Sequence, residues 1–372
     1  MDGRLALPNY PNIGEFMVTL LLALIFIASG GHADIPVDAP QVKFRELVDD
    51  RQERSDYQAE VIAKLVADDF VGLEAEAAGL VDGTARFTNG DWKLFAFYNA
   101  LSGGGDPARS GSKWNDHLGH VNLWRVKYPS SVPAALVEAG AYSLRGWAAR
   151  GNSTADGVTS EGWRRLESDY DHSKALLDEL AQKGPVVDPF YVQLRLRLAR
   201  GSGAGPAGLI ATYKSLVPNE TPYCFHLVNS VATGLLPKWG GAPGDPEKFC
   251  LEATQSQGED AQCEQIARAA INFSKSGPLG RYFRDRSLSW EQVYHGFVVL
   301  FRKYPNSLVN ANYLVEIAWE VGDTEQTAKY LRLLAGRADP AVWDGESFPE
   351  ISDDVLKKDA ESKKFYRPRP QN

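Results

Sequence analysis

The chain has 372 residues, 44% apolar and 11% aromatic, enough to fill the core of one long or two ordinary domains and too much for a disordered chain. Its net charge of −8, with acids and bases interspersed, excludes the concentrated positive surface that phosphate-backbone binding needs, so nucleic acid is not an expected partner. Three cysteines, Cys224, Cys250 and Cys263, are too few and too widely spaced for a disulfide-stapled mini-domain or a zinc ribbon.

From Phe16 to Ala28 every residue except Thr19 is apolar, and small residues with His32 lead on to Ala33. This run is shorter than the ~20 residues a helix needs to cross a bilayer core. It fits the apolar region of a secretory signal over residues 1–33, with Gly31-His32-Ala33 as the small-x-small cleavage site. Asp2, Arg4 and Glu15 sum to −1 where a signal is usually basic, and Met17 is a second candidate start. The competing reading is an uncleaved anchor, which would bring the chain into contact with the membrane. No cysteine flanks the run, so lipid attachment there has no acceptor.

A Pro-marked extended lead, Ile35 to Pro40, precedes the first helical signals. Tyr57, Val61, Leu65, Leu73, Ala77 and Leu80 include successive steps along a helix face, and Trp163, Leu166, Tyr170, Leu177 and Leu180 do so more plainly. No run of comparable length alternates with period two. Gly and Pro clusters, such as Asp82-Gly83, Asn89-Gly90-Asp91, Gly184-Pro185, Gly201 to Pro206 and Gly240 to Pro246, punctuate these segments. Their spacing predicts some thirteen to sixteen helices of ordinary length. Ser160 and Ser289 read as N-caps.

One segment recurs: Lys127-Tyr128-Pro129-Ser130-Ser131 and Lys303-Tyr304-Pro305-Asn306-Ser307 each close one helical run and open the next, and a weaker copy ends at Pro218. The sixth residues on from the three prolines are Ala135, Cys224 and Ala311, and the tenth are Ala139, Val228 and Val315, which places both sets on one helix face. Near the C-terminus, Ala311, Leu314, Ala318, Gly322-Asp323 and Ala328 resemble a single degenerate tetratricopeptide repeat within about residues 289–338. The predicted class is all-α, an irregular array of helical hairpins over residues 34–356 of the tetratricopeptide-like α-solenoid kind. The charged, Pro-rich stretch from Lys357 to Asn372 reads as a loose tail.

Four blocks occur in order: Phe87 to Leu94 with Phe97-Tyr98; Trp124 with Tyr128-Pro129-Ser130-Ser131; Gly146-Trp147-Ala148-Ala149-Arg150-Gly151; and Leu235-Leu236-Pro237-Lys238-Trp239-Gly240-Gly241. Over roughly Phe70 to Phe273 the chain resembles a bacterial family of unknown function, rich in tetratricopeptide-like helices, whose hallmark is the last block. The resemblance implies a helical fold and a protein that is exported or attached to a membrane. It implies no catalytic residue and no ligand. The cysteines and the N-terminal charge depart from the family's usual pattern.

The Leu235–Gly241 block admits two readings. Lys238 and Trp239 present a cation and an aromatic surface to a partner; or Pro237 stops a helix, Trp239 covers its end and the glycines turn the chain, which explains every residue in the run. His117 and His120 lie three apart beside Asp116, but a zinc site needs three or four ligands, and His172, His226 and His295 are isolated, so no metal is expected. Gly201 to Gly205 lacks the preceding strand and following lysine of a phosphate loop. There is no Gly-x-Ser-x-Gly, His-Glu-x-x-His or Cys-x-x-Cys, so neither a catalytic residue nor a cofactor is predicted. Paired acids such as Asp49-Asp50, Asp68-Asp69 and Asp353-Asp354 read as solvated faces. Cys250 and Cys263 flank the turn Gln257 to Asp260; they form a disulfide if the hairpin brings their Cα atoms within ~7 Å, and otherwise remain separate buried thiols. Asn152, Asn219 and Asn272 head glycosylation sequons by pattern alone.

The expected function is a non-catalytic binding or assembly module of the bacterial cell envelope, periplasmic or secreted, that takes a protein or peptide on one face of the array. The alternatives are an enzyme that acts on an envelope polymer through scattered carboxylates, and an anchored structural protein.

Overall fold

The recurring Tyr-Pro segments are turns that end in a serine cap. In a computed structural model of the chain, Ser131 accepts a hydrogen bond from the Ala134 amide and Ser307 from the Asn310 amide, and each starts a helix. The structure describes residues 43, 45–103, 112–151, 153, 155–217, 223–274, 283, 288–343 and 348–365. The predicted signal segment, 1–33, and the third Tyr-Pro-like copy at Pro218 lie outside the described residues.

Among the described residues, fifteen α-helices follow one another. They are α1 Asp50–Val66, α2 Phe70–Leu80, α3 Lys93–Leu101, α4 Ser112–Lys127, α5 Val132–Arg150, α6 Ser160–Lys183, α7 Pro189–Gly201 and α8 Gly205–Leu216. After these come α9 Phe225–Gly234, α10 Asp245–Thr254, α11 Glu259–Ser274, α12 Trp290–Lys303, α13 Leu308–Glu320, α14 Thr324–Leu334 and α15 Phe348–Phe365. No strand is present among the described residues, only the isolated bridges Val48–Ser307 and Arg86–Trp92. The fold is all-α, as the spacing of the apolar residues implies. Asp49, Asp69, Asp188 and Asp323 cap four of the helices. Two predicted caps differ. Thr159, one residue before Ser160, caps α6, and Ser289 precedes α12 without a side-chain cap, its amide donating instead to Glu247.

Neighbouring helices pair as hairpins, and the odd-numbered ones from α3 to α13 form the inner layer, while α15 packs on α14. Contacts run from α1 to α3, from α3 to α5 and α7, and onward through α9 and α11 to α13. The even-numbered helices cover them. The contrast is sharpest between α3, which buries every residue except Lys93 and Asn99, and outer α8, which buries only Leu209. The positions counted from the prolines, Ala135, Ala139, Ala311 and Val315, are all in the core.

The array also returns on itself, because α13 packs back against α1. The Arg45 and Val48 amides donate to the Pro305 and Asn306 carbonyls at 3.0 and 2.7 Å, and Leu308 donates to Val48 at 3.2 Å. The buried Asp50 carboxylate accepts from the Ser307 hydroxyl and from the Val309 amide. Arg268 on α11 braces the turn beside this junction, a turn whose Asp91 also pairs with Arg54 of α1 and whose Asn89 carbonyl also accepts from Asn310 of α13. Arg268 donates Nε to Glu264 at 2.7 Å and Nη2 to the Asn89 carbonyl at 3.3 Å, and Nη1 lies 3.6 Å from Asp91. Gly90 makes this approach possible: its φ is +83°, and a Cβ there would fall 2.4 Å from both Arg268 Nη2 and the Tyr304 ring.

At the C-terminus the expected loose tail is corrected in part. Lys357 to Phe365 continues α15, which is held because Val355 and Asp359 are buried and Arg332 reaches the Asp359 carboxylate. In the tetratricopeptide-like stretch, Ala311, Leu314, Ala318 and Ala328 are fully buried, and Asp323 accepts from the Trp290 indole at 3.0 Å.

The two serine caps allow a direct comparison. Ser131→Ala should cost about 1 kcal/mol, the usual loss for a cap. Ser307→Ala removes a cap and also a donor to buried Asp50, which adds about 1–3 kcal/mol. Denaturant midpoints at pH 7 should rank Ser307→Ala as clearly the more damaging; equal losses would mean that the Asp50 contact contributes nothing.

Candidate functional site

The α5–α6 hairpin is tight because glycines stand where the helices cross. A Cβ on Gly146 would lie 3.3 Å from Leu166 Cα, and one on Gly162 would lie 3.0 Å from the Ala149 carbonyl oxygen. This closeness brings Arg150, at the end of α5, over the rings of Trp147 and Trp163, at 5.0 and 5.3 Å from their centroids. The same guanidinium donates Nη1 to the Gly151 and Ser153 carbonyls at 3.0 and 2.9 Å. Trp147 is among the large apolar side chains left exposed.

Helix α7 starts at a buried cap. Asp188 accepts from the Phe190 amide at 2.8 Å and from the Tyr98 hydroxyl at 2.5 Å, and burial pushes its pKa up to about 6. Phe190, Leu194 and Leu198 hold the helix in the core. Its C-terminal turn presses on α6, since a Cβ at Gly201 would fall 2.3 Å from the Tyr170 ring and 2.6 Å from its hydroxyl. Arg197 and Arg200 occupy this junction, half-buried. Burial lowers both pKa values, that of Arg197 to about 10, and Arg200 lowers Arg197 further by like-charge repulsion. Both remain cationic at neutral pH.

Tyr170 ties the cluster together. Burial raises its pKa, and the charges of Arg197, Arg200 and Arg150 act in the opposite direction. No carboxylate is among the groups acting on Arg197 or Arg200. Arg197 Nη1 is buried with no hydrogen-bond partner among the described residues.

Trp239, singled out with Lys238 from the sequence, joins this cluster from the other side. Its ring centroid is 5.7 Å from the Arg200 guanidinium carbon, and its indole N–H is buried without a partner among the described residues. Pro237–Trp239 forms a single 3-10 turn, with Leu235 and Leu236 buried ahead of it. Gly240 has φ +90°, and a Cβ at Gly241 would collide with the Leu235 carbonyl oxygen at 1.8 Å. The geometry thus accounts for each residue of the motif, while Lys238 and Trp239 stay half-exposed.

The other sequence candidates are dispersed. His120 lies 3.3 Å from Asp68; His172 stacks on Tyr142 and lies 3.5 Å from Glu138. His226 sits between Phe95 and Phe225, accepts from the Trp92 amide, and is driven by burial to a pKa of about 3. Among the described residues no three His, Cys, Asp or Glu side chains gather as metal ligands. Nor do the paired acids face one another as acid and base: Asp49 and Asp69 cap helices, Asp50 binds Ser307 and Asp354 pairs with Lys358.

Of the two readings of Cys250 and Cys263, the structure has the separate thiols: both are free. Cys250 points into the core, where Gln265 Nε2 lies 3.9 Å from its sulfur, whereas Cys263 is only half-buried on α11. Burial raises the pKa of both, that of Cys250 to about 12.

Sequence reasoning missed Arg197 and Arg200. The signal was present in Leu194-Arg195-Leu196-Arg197-Leu198-Ala199-Arg200, where arginines interleave with core leucines on one short helix. Of these, only Arg195 meets an acid among the described residues, Asp178 at 2.6 Å. No family model, curated protein or solved structure matches the chain.

Asp188 gives the site's supporting helix a pH dependence. Its folded pKa of about 6 lies above the ordinary 3.8, so the folded state keeps a proton that the unfolded chain has released. Stability from this group is therefore present below pH ~4 and lost as pH rises towards ~6, at a slope of up to about 1 kcal/mol per unit. Asp188→Asn, which retains a capping side chain, should remove that slope from denaturation curves taken between pH 4 and 7. An unchanged slope would place the titration elsewhere.

Proposed function

We propose that this chain is a non-catalytic binding or assembly module that takes a protein or peptide partner on the face carrying Trp147, Arg150, Arg197, Arg200, Lys238 and Trp239. One observation carries the reading: Arg197 Nη1 and the Trp239 indole N–H have no hydrogen-bond partner among the described residues, and they belong to a cluster around Tyr170 in which Arg150 lies over exposed Trp147. Half-buried aromatic and arginine side chains are the residues most often found at the energetic centre of interfaces. Of the paired acids singled out from the sequence, Asp49 and Asp69 serve as helix caps and Asp354 as an ion-pair partner, which supports a structural use for them.

The wider setting we propose is the bacterial envelope. The Leu235–Gly241 block and its three companion blocks support membership of the family named above, and the apolar run before Ala33 supports export with cleavage after that residue. Among the described residues no helix is long and apolar enough to cross a membrane.

The test separates surface from scaffold. Trp147→Ala should leave the denaturation midpoint unchanged and abolish cross-linked capture of the partner from the native envelope. Trp239→Ala, which truncates a half-buried ring, should cost about 2 kcal/mol, somewhat less than a fully buried aromatic. Capture that survives Trp147→Ala, with the same partner recovered by mass spectrometry, would contradict this face as the binding face.

A further inference from the structure

Four other arginines set into the protein show what a guanidinium compensated by carboxylates looks like here, and half-buried Arg86 is met instead by the Gly83 and Gly90 carbonyls. Arg145 grips Asp169 with two bonds of 2.9 and 2.6 Å, Arg125 reaches Glu138 at 3.1 Å and Arg54 reaches Asp91 at 2.7 Å. Arg268 has Glu264 and Asp91. Arg197 and Arg200 have no such partner among the described residues, although the chain carries 48 acids against 40 Lys and Arg. The lack is local and does not reflect a shortage of carboxylates.

A charge withdrawn from water without a counter-charge is costly, and two like charges one helical turn apart add to the cost. Nothing in the packing requires it. Arg197 and Arg200 lie on the flank of α7, and the core there is filled by Leu194 and Leu198. A methionine would pack at either position without the penalty. Such a cluster is stabilised when an anion from outside supplies the missing charge.

We infer that Arg150, Arg197 and Arg200 form a binding site for the carboxylate side chains of an acidic peptide segment, the partner class of the module proposed above. The inference rests on that reading and makes it specific. The planar guanidinium fork matches a carboxylate with two parallel hydrogen bonds. Trp147, Trp163 and Trp239 supply apolar surface for the residues that flank the acid. The chain's charge of −8 opposes a long polyanion, so a nucleic acid does not fit, whereas a short acidic segment meets three local cations.

The experiment is a tryptophan-fluorescence titration of the full chain with three probes: a peptide of alternating Glu and Leu, the matched Gln and Leu peptide, and inorganic phosphate. The Glu peptide should bind at least 10-fold more tightly than the Gln peptide, and its affinity should fall as salt rises. Arg197→Met and Arg200→Met should each weaken it 10-fold or more while the melting temperature holds or rises, because an uncompensated charge has been removed. Arg145→Met, which orphans Asp169, should lower the melting temperature. Equal binding of the two peptides overturns the inference, as does a fall in melting temperature for Arg197→Met without loss of binding. Phosphate binding that depends on the arginines, with no Glu-peptide binding, overturns it too. If the peptide fails but envelope capture still needs Trp147, the carboxylate assignment falls and the module reading stands. If the peptide binds through the arginines but no envelope partner is captured, the module reading falls.

Discussion

Arg268 holds the two ends of the helical array together. It is 4% exposed, so its charge has been taken almost wholly out of water, and that is tolerable only because every side of the guanidinium is occupied. Glu264, Asp91 and the Asn89 carbonyl meet its donors, and the Phe225 ring lies 3.9 Å from its central carbon. Burial alone would lower its pKa; Glu264 and Asp91 outweigh burial and hold it above the ordinary value. Glu264 in turn is held below its usual range by Arg268 and Lys303 against the same burial penalty. These contacts join α11 to the turn before α3 and lie beside Tyr304, the residue that introduces α13. The docking of α1 on α13 is built around this point.

The contrast between Arg268 and the Arg197–Arg200 pair organises the molecule into scaffold and face. Both sets of guanidiniums are withdrawn from solvent on inner helices. One set is closed off with carboxylates and carbonyls; the other is left with aromatic rings and partial access to water. A folded chain has little reason to keep the second arrangement unless something outside it completes the charge. The same tight hairpin that builds the core, through Gly146 and Gly162, also sets Arg150 over two tryptophans, so scaffold and face are produced by one packing event.

What could be read in advance was local. The all-α class, the Tyr-Pro turns and the buried faces at Ala135, Ala139, Ala311 and Val315 follow from spacing and from the backbone limits of proline and glycine, which act within a few residues. The Asn89-Gly90-Asp91 motif was legible as a turn. Its purpose was not, because the reason for Gly90 is Arg268, 178 positions along the chain. The same limit hid Arg197 and Arg200. Their distinction is that no acid among the described residues pairs with them, and no local pattern encodes an absence. The helical end of the chain was misjudged for a related reason: Asp359 reads as a solvated charge until Arg332 is brought against it by the fold. Thr159 displaced Ser160 as a cap by a single residue, an error that cap chemistry alone cannot resolve because both side chains are good caps.

The central claim is that one compensated charge closes the array, and native-state hydrogen exchange on Arg268→Met tests it most directly. The amides of Val48 and Leu308, which bond across the α1–α13 junction, and that of Gly90 in the docked turn should lose protection together, while the α5–α6 hairpin keeps its own. Loss of protection confined to α11, with Val48 and Leu308 exchanging as slowly as in the unaltered chain, would contradict the account.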